Sequence, residues 1–453
     1  MKRRTAIKTL GVFPFMGTCL NDKEETIENN SRAVEKVIET DILVVGGGTA
    51  GTVAAIQASR AGCKTILLEC GNQLGGTMTT GGVSFPGLFH AWGKQIIGGI
   101  GWELVSETVA LNSGKLPDFK IPFGRRHPKH QIYLNGPLYA LLAEEKCVQC
   151  GVFIRYYETP VQVCFKDQRW FVDVVGKGTA CQIVCQQIID CTGNALVASM
   201  AGYKLQREKD VQPGSLIFEL GGYDLDRLDK KILAERFKKA ISEGSLLKKD
   251  AYGGVWGLLT VKNGLATQHV LHADSTTSEL HTKTNIEGRA SMLRIIRFIR
   301  SLPGCENAYF KKLQSEVAIR ETNRIDGIYQ ITHEDYIEGR VFDDSLAYSY
   351  YPIDLHVEEG VKPKHLSDGK VATIPFRSLI PKGSTNLLVA GRCVSSDRLA
   401  NSALRVQASC MAMGQVAGCA AVLACMENKP LLDLSIPELK NLIRKYKGIV
   451  PGE

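Results

Sequence analysis

The 453-residue chain has no large excess of either charge: 55 Lys and Arg against 47 Asp and Glu leave +8. Its basic residues are dispersed, with only short clusters such as Arg125-Arg126 and Lys248-Lys249. That pattern makes a solvated basic surface and argues against a nucleic-acid stripe. Beyond the N-terminal segment no apolar run reads as long enough to span a bilayer. No period of 20–50 residues recurs, which excludes a solenoid. There is no nucleophile elbow, no GxxxxGK phosphate loop and no HExxH. The 14 cysteines include two close pairs, Cys147-x2-Cys150 and Cys181-x3-Cys185, but neither has a partner pair at zinc or iron–sulfur spacing. No metal site is expected. Cys147 and Cys150 could be bridged or redox-active. The dispersed cysteines at small-residue positions, such as Cys191 and Cys419, read better as buried thiols.

What the chain does have is an ordinary globular composition, 44% apolar and 23% charged, and length for two or three domains. Residues 1–20, MKRRTAIKTLGVFPFMGTCL, carry a basic head with Arg3-Arg4 and a short apolar run interrupted by Pro14. They read as a twin-arginine export signal, with a plain disordered tail as the other reading. Export would place the protein in the periplasm or envelope; otherwise it is cytoplasmic. Residues 21–40 form a polar linker.

Residues 41–51 read DILVVGGGTAG, and Glu69 closes the next apolar run, TILLE. A buried strand, Asp41–Val45, enters the turn Gly46-x-Gly48-x-x-Gly51, which opens a helix over Ala50–Ala61. Gly46 permits the turn, Gly48 lets the backbone approach a pyrophosphate, and Gly51 lets the helix pack close to the strand. Thr49 and Ala50 then sit at a helix N-terminus, where free N–H groups and the dipole favour phosphate. Glu69, about 20 residues on, can accept hydrogen bonds from a ribose. No Arg follows Glu69, so a 2′-phosphate is not expected. Only one such fingerprint occurs in the chain. Electrons are therefore expected to enter or leave by a route other than a second bound nicotinamide: a second substrate, a quinone, oxygen or a partner protein.

Gly75-Gly76-Thr77 comes directly after the second strand, and Gly81-Gly82 shortly later. With these the chain resembles the bacterial FAD-dependent oxidoreductases, which have the glutathione-reductase type of FAD fold and are distantly similar to fumarate reductase and succinate dehydrogenase flavoproteins. Five stretches carry the resemblance: DILVVGGGTAG, LLECGNQLGGTMTTGGV, IIDCTGNALVASMAGY, SEVAIRETNRIDGIYQIT and IPFRSLIPKGSTNLLVAGRCVSS with its continuation ALRVQASCMAMGQVAG. It implies an α/β fold with FAD as cofactor. The Rossmann-like FAD domain would be discontinuous, covering residues 41–214 and 375–445 around an inserted α+β substrate domain at 215–374.

The same resemblance distributes the cofactor contacts. Glu69 and Cys70 would lie at the adenosine ribose, and Gly75, Gly76 and Thr77 beside the phosphates. Val161 would offer a backbone contact to adenine. Thr192 and Gly193 would pass beneath the FAD, and Gly391 and Arg392 would turn over the phosphates and ribityl chain. A helix starting at Ser402, with Ser402 as its cap, would bring Arg405 and Val406 to the pyrimidine end of the flavin. On the substrate side, Arg320 and Arg377 match family arginines. Each could hold a substrate oxygen or pair with an internal acid. Where many family members have a histidine after Cys-Val-Ser, this chain has Ser396-Asp397-Arg398. Hydride removal from an alcohol needs a base, and histidine is the usual one. His90, after the glycine-rich loop and between Phe89 and Trp92, is the first candidate; His127, His333 and His356 are weaker ones. The expected function is hydride transfer between flavin N5 and a small organic substrate, an alcohol, sugar or organic acid. The alternatives are a non-redox FAD hydratase or isomerase and an electron-transfer subunit, the latter disfavoured by the large insertion.

Overall fold

The computed structural model describes residues 36–121, 127–250, 254–260, 266–358, 360, 361 and 363–452. The expected export signal and most of the linker fall outside them, as does the side chain of His127. Strand β1 (Val37–Glu39) precedes β2 (Ile42–Val45), helix α1 (Thr49–Arg60) and β3 (Thr65–Glu69). Helices α2 (Gly99–Leu111) and α3 (Gly136–Gln149) lead to β4 (Phe153–Tyr156). A meander of β5 (Thr159–Lys166), β6 (Arg169–Gly176) and β7 (Thr179–Cys185) returns to β8 (Gln187–Asp190). A second unit contains β9 (Gly214–Gly221), α4 (Lys230–Ser242), β10 (Ala266–Val270), α5 (Ser278–Arg300) and β11 (Tyr309–Leu313). The chain closes with β12 (Ser345–Ser349), β13 (Ala372–Pro375), β14 (Leu387–Val389), α6 (Arg398–Leu404), α7 (Gln407–Glu427) and α8 (Ile436–Lys445).

The central sheet is parallel, in the order β14-β8-β2-β3-β4. Its strands are apolar on both faces because both are covered, as parallel sheets require. Buried Val44 and Leu67 face the α1 and α7 side, and Leu43 and Ile66 face the meander side. The fold is thus the Rossmann-like α/β type. Its last strand, β14, pairs with β8 although the whole second unit lies between them in the chain, so the cofactor domain is assembled from distant pieces.

Helix α7 shows how tightly those pieces join. It is long and apolar enough to cross a membrane, but it lies buried against α1. A Cβ at Gly414 would collide with the Ala50 carbonyl, and one at Gly418 would come within 2.8 Å of the Ala54 carbonyl. Small residues are the condition for two helix backbones to lie this close.

The second unit is an antiparallel sheet, β10-β9-β11, packed against α4 and α5. Its core runs from Leu216 to Ile319. Residues 331–374, counted with it from the sequence, pack Ile331, Tyr336, Leu346 and Ile374 into the core of the cofactor domain.

Candidate active site

At the first end of the site, β2 delivers the glycine turn. A Cβ on Gly51 would collide with the carbonyl of Gly46, so only glycine lets α1 begin this close to the strand. Gly48 is the N-cap of α1 with an extended backbone, no side-chain cap and no acidic residue in the first turn. A Cβ there meets nothing within 4 Å. The amides of Thr49, Ala50 and Gly51 thus begin α1 with no side-chain cap, beside the open space at Gly48, the cradle that a pyrophosphate needs.

The other predicted residues gather around it. Gly75 donates its N–H to the Gly47 carbonyl at 2.8 Å, and a Cβ on Gly76 would lie 3.1 Å from the Gly48 Cα, so the Gly75-Gly76-Thr77 turn covers the cradle. Glu69 accepts from the amides of Gly47 at 2.7 Å and Gly71 at 2.6 Å. The Cys70 thiol also donates to its Oε1 at 3.5 Å, so of a carboxylate's roughly four acceptor sites about one remains for a ribose hydroxyl, on Oε2. Beside it, desolvation of the Cys70 sulfur together with the Glu69 charge pushes the thiol up to about 12. Val161 falls at an irregularity in the pairing of β5 with β6, which leaves it out of the ladder and half exposed.

On the far side, Thr192 hydrogen-bonds Asp190, and Gly193 accepts from Thr322 Oγ1 at 2.8 Å and Arg392 Nε at 2.8 Å. A Cβ on Gly391 would sit 3.5 Å from Ala50 Cβ, so this turn lies at the start of α1. The Arg392 guanidinium also donates to the Ile319 carbonyl and to Asn194. Its donors thus clamp three chain segments together.

The second end differs from expectation at its helix. Ser402 is not a cap. It lies inside α6, whose N-cap is Asp397 accepting from the Ala400 amide at 2.8 Å. The chain breaks at Arg405 and restarts at Gln407, with Val406 as an extended N-cap. Ser402 Oγ instead accepts from the Asp354 amide at 3.1 Å. The stagger between α6 and α7 turns Arg405 inward. Its Nη2 donates to the Asp354 carbonyl at 3.2 Å and to Gln212 Oε1 at 3.4 Å, and stands 3.6 Å from the Asp354 carboxylate. Its Nε is buried without a hydrogen-bond partner.

Around Asp354 stand two histidines and a second arginine. His356 Nε2 is 3.0 Å from Asp354 Oδ2, and its ring meets that of His269 edge-on at 5.1 Å. Arg320 donates to the Pro213 carbonyl, to Ser215 Oγ at 2.7 Å and toward His269 Nε2 at 3.5 Å. Burial pushes His356 down to about 4, despite the Asp354 hydrogen bond that opposes it. Burial and Arg320 push His269 down to about 2. Asp354 is held below the ordinary carboxylate range: its burial acts against this, but His356 and Arg405 outweigh it. Both imidazoles are therefore neutral at pH 7. Two guanidinium groups against one carboxylate leave the group with one net positive charge.

The two ends are connected. Gln407 Nε2 donates to the Val83 carbonyl at 2.8 Å and the Ala408 amide to the Pro86 carbonyl at 2.8 Å. Residues 76–87 therefore run from the phosphate cradle to the α6–α7 break.

Two of the predicted reactive residues are not in this group. His90 packs flat on Phe119 at 3.7 Å and edge-on to Trp102 at 5.2 Å. Burial and neighbouring His130 push it down to about 4. It sits in an aromatic nest against α2, without a contact to Arg320, Asp354, His356 or Arg405 among the described residues. Arg377 is satisfied by an internal acid: it makes a bidentate pair with Asp344 at 3.0 and 3.1 Å and lies over the Tyr329 ring. Of the two matched arginines, only Arg320 reaches the histidines. Asp397 and Arg398, which stand where a family histidine was expected, cap α6 and pair with buried Glu321. His333 is tied to Glu334 and Lys364 near the surface.

Sequence reasoning missed Gln212, His269 and Asp354. The spacing Asp354-x-His356 was the available signal: in extended chain, residues two apart share a face.

A family model described as FAD dependent oxidoreductase matches residues 41–443. The dihydrolipoyl dehydrogenase of Staphylococcus aureus is 36% identical over 85 residues, 18% of this chain and 18% of that protein. That of Pseudomonas aeruginosa is 42% identical over 59 residues, 13% of this chain and 12% of that one. This chain thus spans under a fifth of the length of either relative. Among solved structures, the OxyS anhydrotetracycline hydroxylase from Streptomyces rimosus aligns over 90% of this chain and 65% of its own, at 13% identity and a TM-score of 0.45. A geranylgeranyl bacteriochlorophyll reductase-like protein from Thermoplasma acidophilum aligns over 91% and 85%, at 14% identity and a TM-score of 0.41.

Proposed function

The chain belongs to the FAD-dependent oxidoreductase family, and on that premise we propose that it transfers hydride between bound FAD and a small organic substrate beside Arg320, His356 and Arg405. The residues present fit the cofactor. Gly48 faces open space at a bare helix N-terminus, Glu69 keeps acceptor capacity, and Arg405 Nε is a buried donor without a protein partner. In this reading Gly46–Gly51 and Gly75–Thr77 hold the pyrophosphate, Glu69 and Cys70 lie at the ribose, and Val161 meets the adenine. Thr192, Gly193, Gly391 and Arg392 support the middle of the cofactor, and Arg405 and Val406 face its pyrimidine ring. When bound, FAD supplies a two-electron acceptor at N5. The observation that carries the reading is the strip of residues 76–87, which joins the phosphate cradle to a buried cluster of two arginines and two neutral histidines. The first end would bind, and the second would orient a substrate and move its proton.

The substrate class we infer is an alcohol, a sugar or an organic acid. The electron acceptor is a quinone, oxygen or a partner protein, because the chain has one nucleotide fingerprint and not two. Export by the N-terminal twin-arginine-like segment fits a protein that folds around its cofactor first.

The test is anaerobic. Purified protein should be yellow and release FAD on denaturation, and one class of the candidate compounds should bleach it. NADH in rapid mixing should not. Bleaching by NADH in one stoichiometric fast phase would overturn the acceptor assignment. A flavin reducible by dithionite but by no organic compound would point to the non-redox alternative.

A further inference from the structure

We propose that His356, oriented by Asp354, is the proton acceptor of the reaction, and that its substrate is a hydroxy acid whose carboxylate is held by Arg320. The inference deepens the function proposed above and rests on it.

The tautomer follows from the contact. A carboxylate only accepts, so the Nε2 that lies 3.0 Å from Asp354 Oδ2 must carry the proton. His356 Nδ1 is then the bare, basic nitrogen, and it is buried without a hydrogen-bond partner. A base held by a carboxylate through its other nitrogen is the arrangement that fixes an imidazole for proton abstraction. Asp354 is a positioning residue, itself held by Ser402 Oγ through its amide. The His356 amide donates to Gln212 Oε1 at 3.1 Å, which fixes the Gln212 amide and leaves its buried Nε2 without a partner. One orphan acceptor and one orphan donor thus belong to two residues joined by that hydrogen bond, in a group with one net positive charge. A ligand that satisfies them donates one hydrogen bond, accepts another and is anionic. A hydroxyl next to a carboxylate does all three. Arg320 supplies the nearby charge, with His269 between it and the His356 ring.

In the step, the substrate O–H bond breaks and its proton goes to His356 Nδ1. FAD, held by the cradle at Gly48, would accept the substrate C–H electron pair as hydride and be reduced by two electrons. The carbon becomes a carbonyl.

Oxalate, a compact carboxylate without a hydroxyl, is the probe. It is titrated into FAD-loaded protein and followed by the flavin absorbance. The groups facing His356 are Asp354, His269, Arg320 and Arg405. An added anion raises the imidazole's proton affinity, so binding should tighten several-fold from about pH 7 to about pH 5. Arg320→Gln should weaken oxalate roughly tenfold or more at both pH values, and Arg320→Lys less. His356→Gln should keep binding near pH 7 and lose the pH dependence. Asp354→Asn should also lose it, although the imidazole remains. Arg377→Gln, on its separate Asp344 pair, should match wild type. A yellow protein with no spectral response to oxalate overturns the proposal. So does an Arg320→Gln protein of wild-type affinity, or a pH dependence that survives in His356→Gln. A colourless protein would instead refute the FAD reading, and the same cuvette shows this before any oxalate is added.

Discussion

The two ends of the site are built differently. The phosphate end comes mostly from one stretch of chain: β2, the glycine turn, the start of α1 and Glu69 all lie between Ile42 and the end of β3. Its chemistry is mainly that of the backbone, open amides at a helix start with glycines that stay out of the way. The reacting end draws Gln212, His269, Arg320, Asp354 with His356, and Arg405 from five segments spread between residues 212 and 405. Its chemistry is that of side chains, and each needs a neighbour to hold it. Binding a shared cofactor can be encoded locally, whereas a particular proton path must be assembled by the tertiary fold.

The largest effect should come from breaking the local end. Gly48→Val puts a branched side chain into the open cradle, where its Cβ meets nothing within 4 Å. The variant should fold with near-wild-type melting and be purified without FAD. Full flavin absorbance in a folded Gly48→Val protein would refute the cradle.

The assembled end should break through its supports. Glu321 is 1% exposed and joins three segments: it accepts from Arg398 Nε at 3.0 Å, from Arg324 at 3.4 Å and from the Gln212 amide at 2.9 Å. Glu321→Ala leaves two arginines short of a buried partner and should cost about 3–5 kcal/mol. Calorimetry should show a large drop in Tm, while the same change at the surface pair of Lys382 with Asp326 should cost under about 1 kcal/mol.

A smaller effect separates the histidines. If His356 is the base, kcat/KM should be constant above the imidazole's titration and fall as pH drops through about 4, where Nδ1 takes a proton and can no longer accept one. An acid limb at the ordinary histidine value of 6.5 would point to an imidazole less buried than His356. His90, which burial also lowers to about 4, is separated by mutation: His90→Gln should leave the limb in place.

This contrast also explains what could be read from sequence. The fold class, the strand into the glycine turn and Glu69 were legible because each depends on near neighbours and on the apolar pattern of a parallel strand. Gln212 and His269 were not, since nothing beside them in the chain marks them; both reach the site only through the second unit and its approach. His90 was favoured for its place after the glycine-rich loop, but its neighbours Trp102 and Phe119 draw it into an aromatic nest. Ser402 looked like a cap because a long small-residue helix follows it. Asp397 caps first, and the break at Arg405 and Val406 has no Gly or Pro to announce it. Arg320 and Arg377 were equivalent on paper; only the fold supplies one with Asp344 and the other with a histidine.

The most direct test of the account is the flavin midpoint potential of Arg405→Ala against wild type, by anaerobic dye equilibration with FAD content measured in parallel. The account has Arg405 facing the pyrimidine ring, where reduced flavin carries negative charge. Losing a charge-assisted contact of about 1–3 kcal/mol, at about 30 mV per 1.4 kcal/mol for two electrons, should lower the potential by roughly 20–60 mV while FAD stays bound. An unchanged potential would place Arg405 away from the flavin, and with it the Asp354–His356 group that it adjoins.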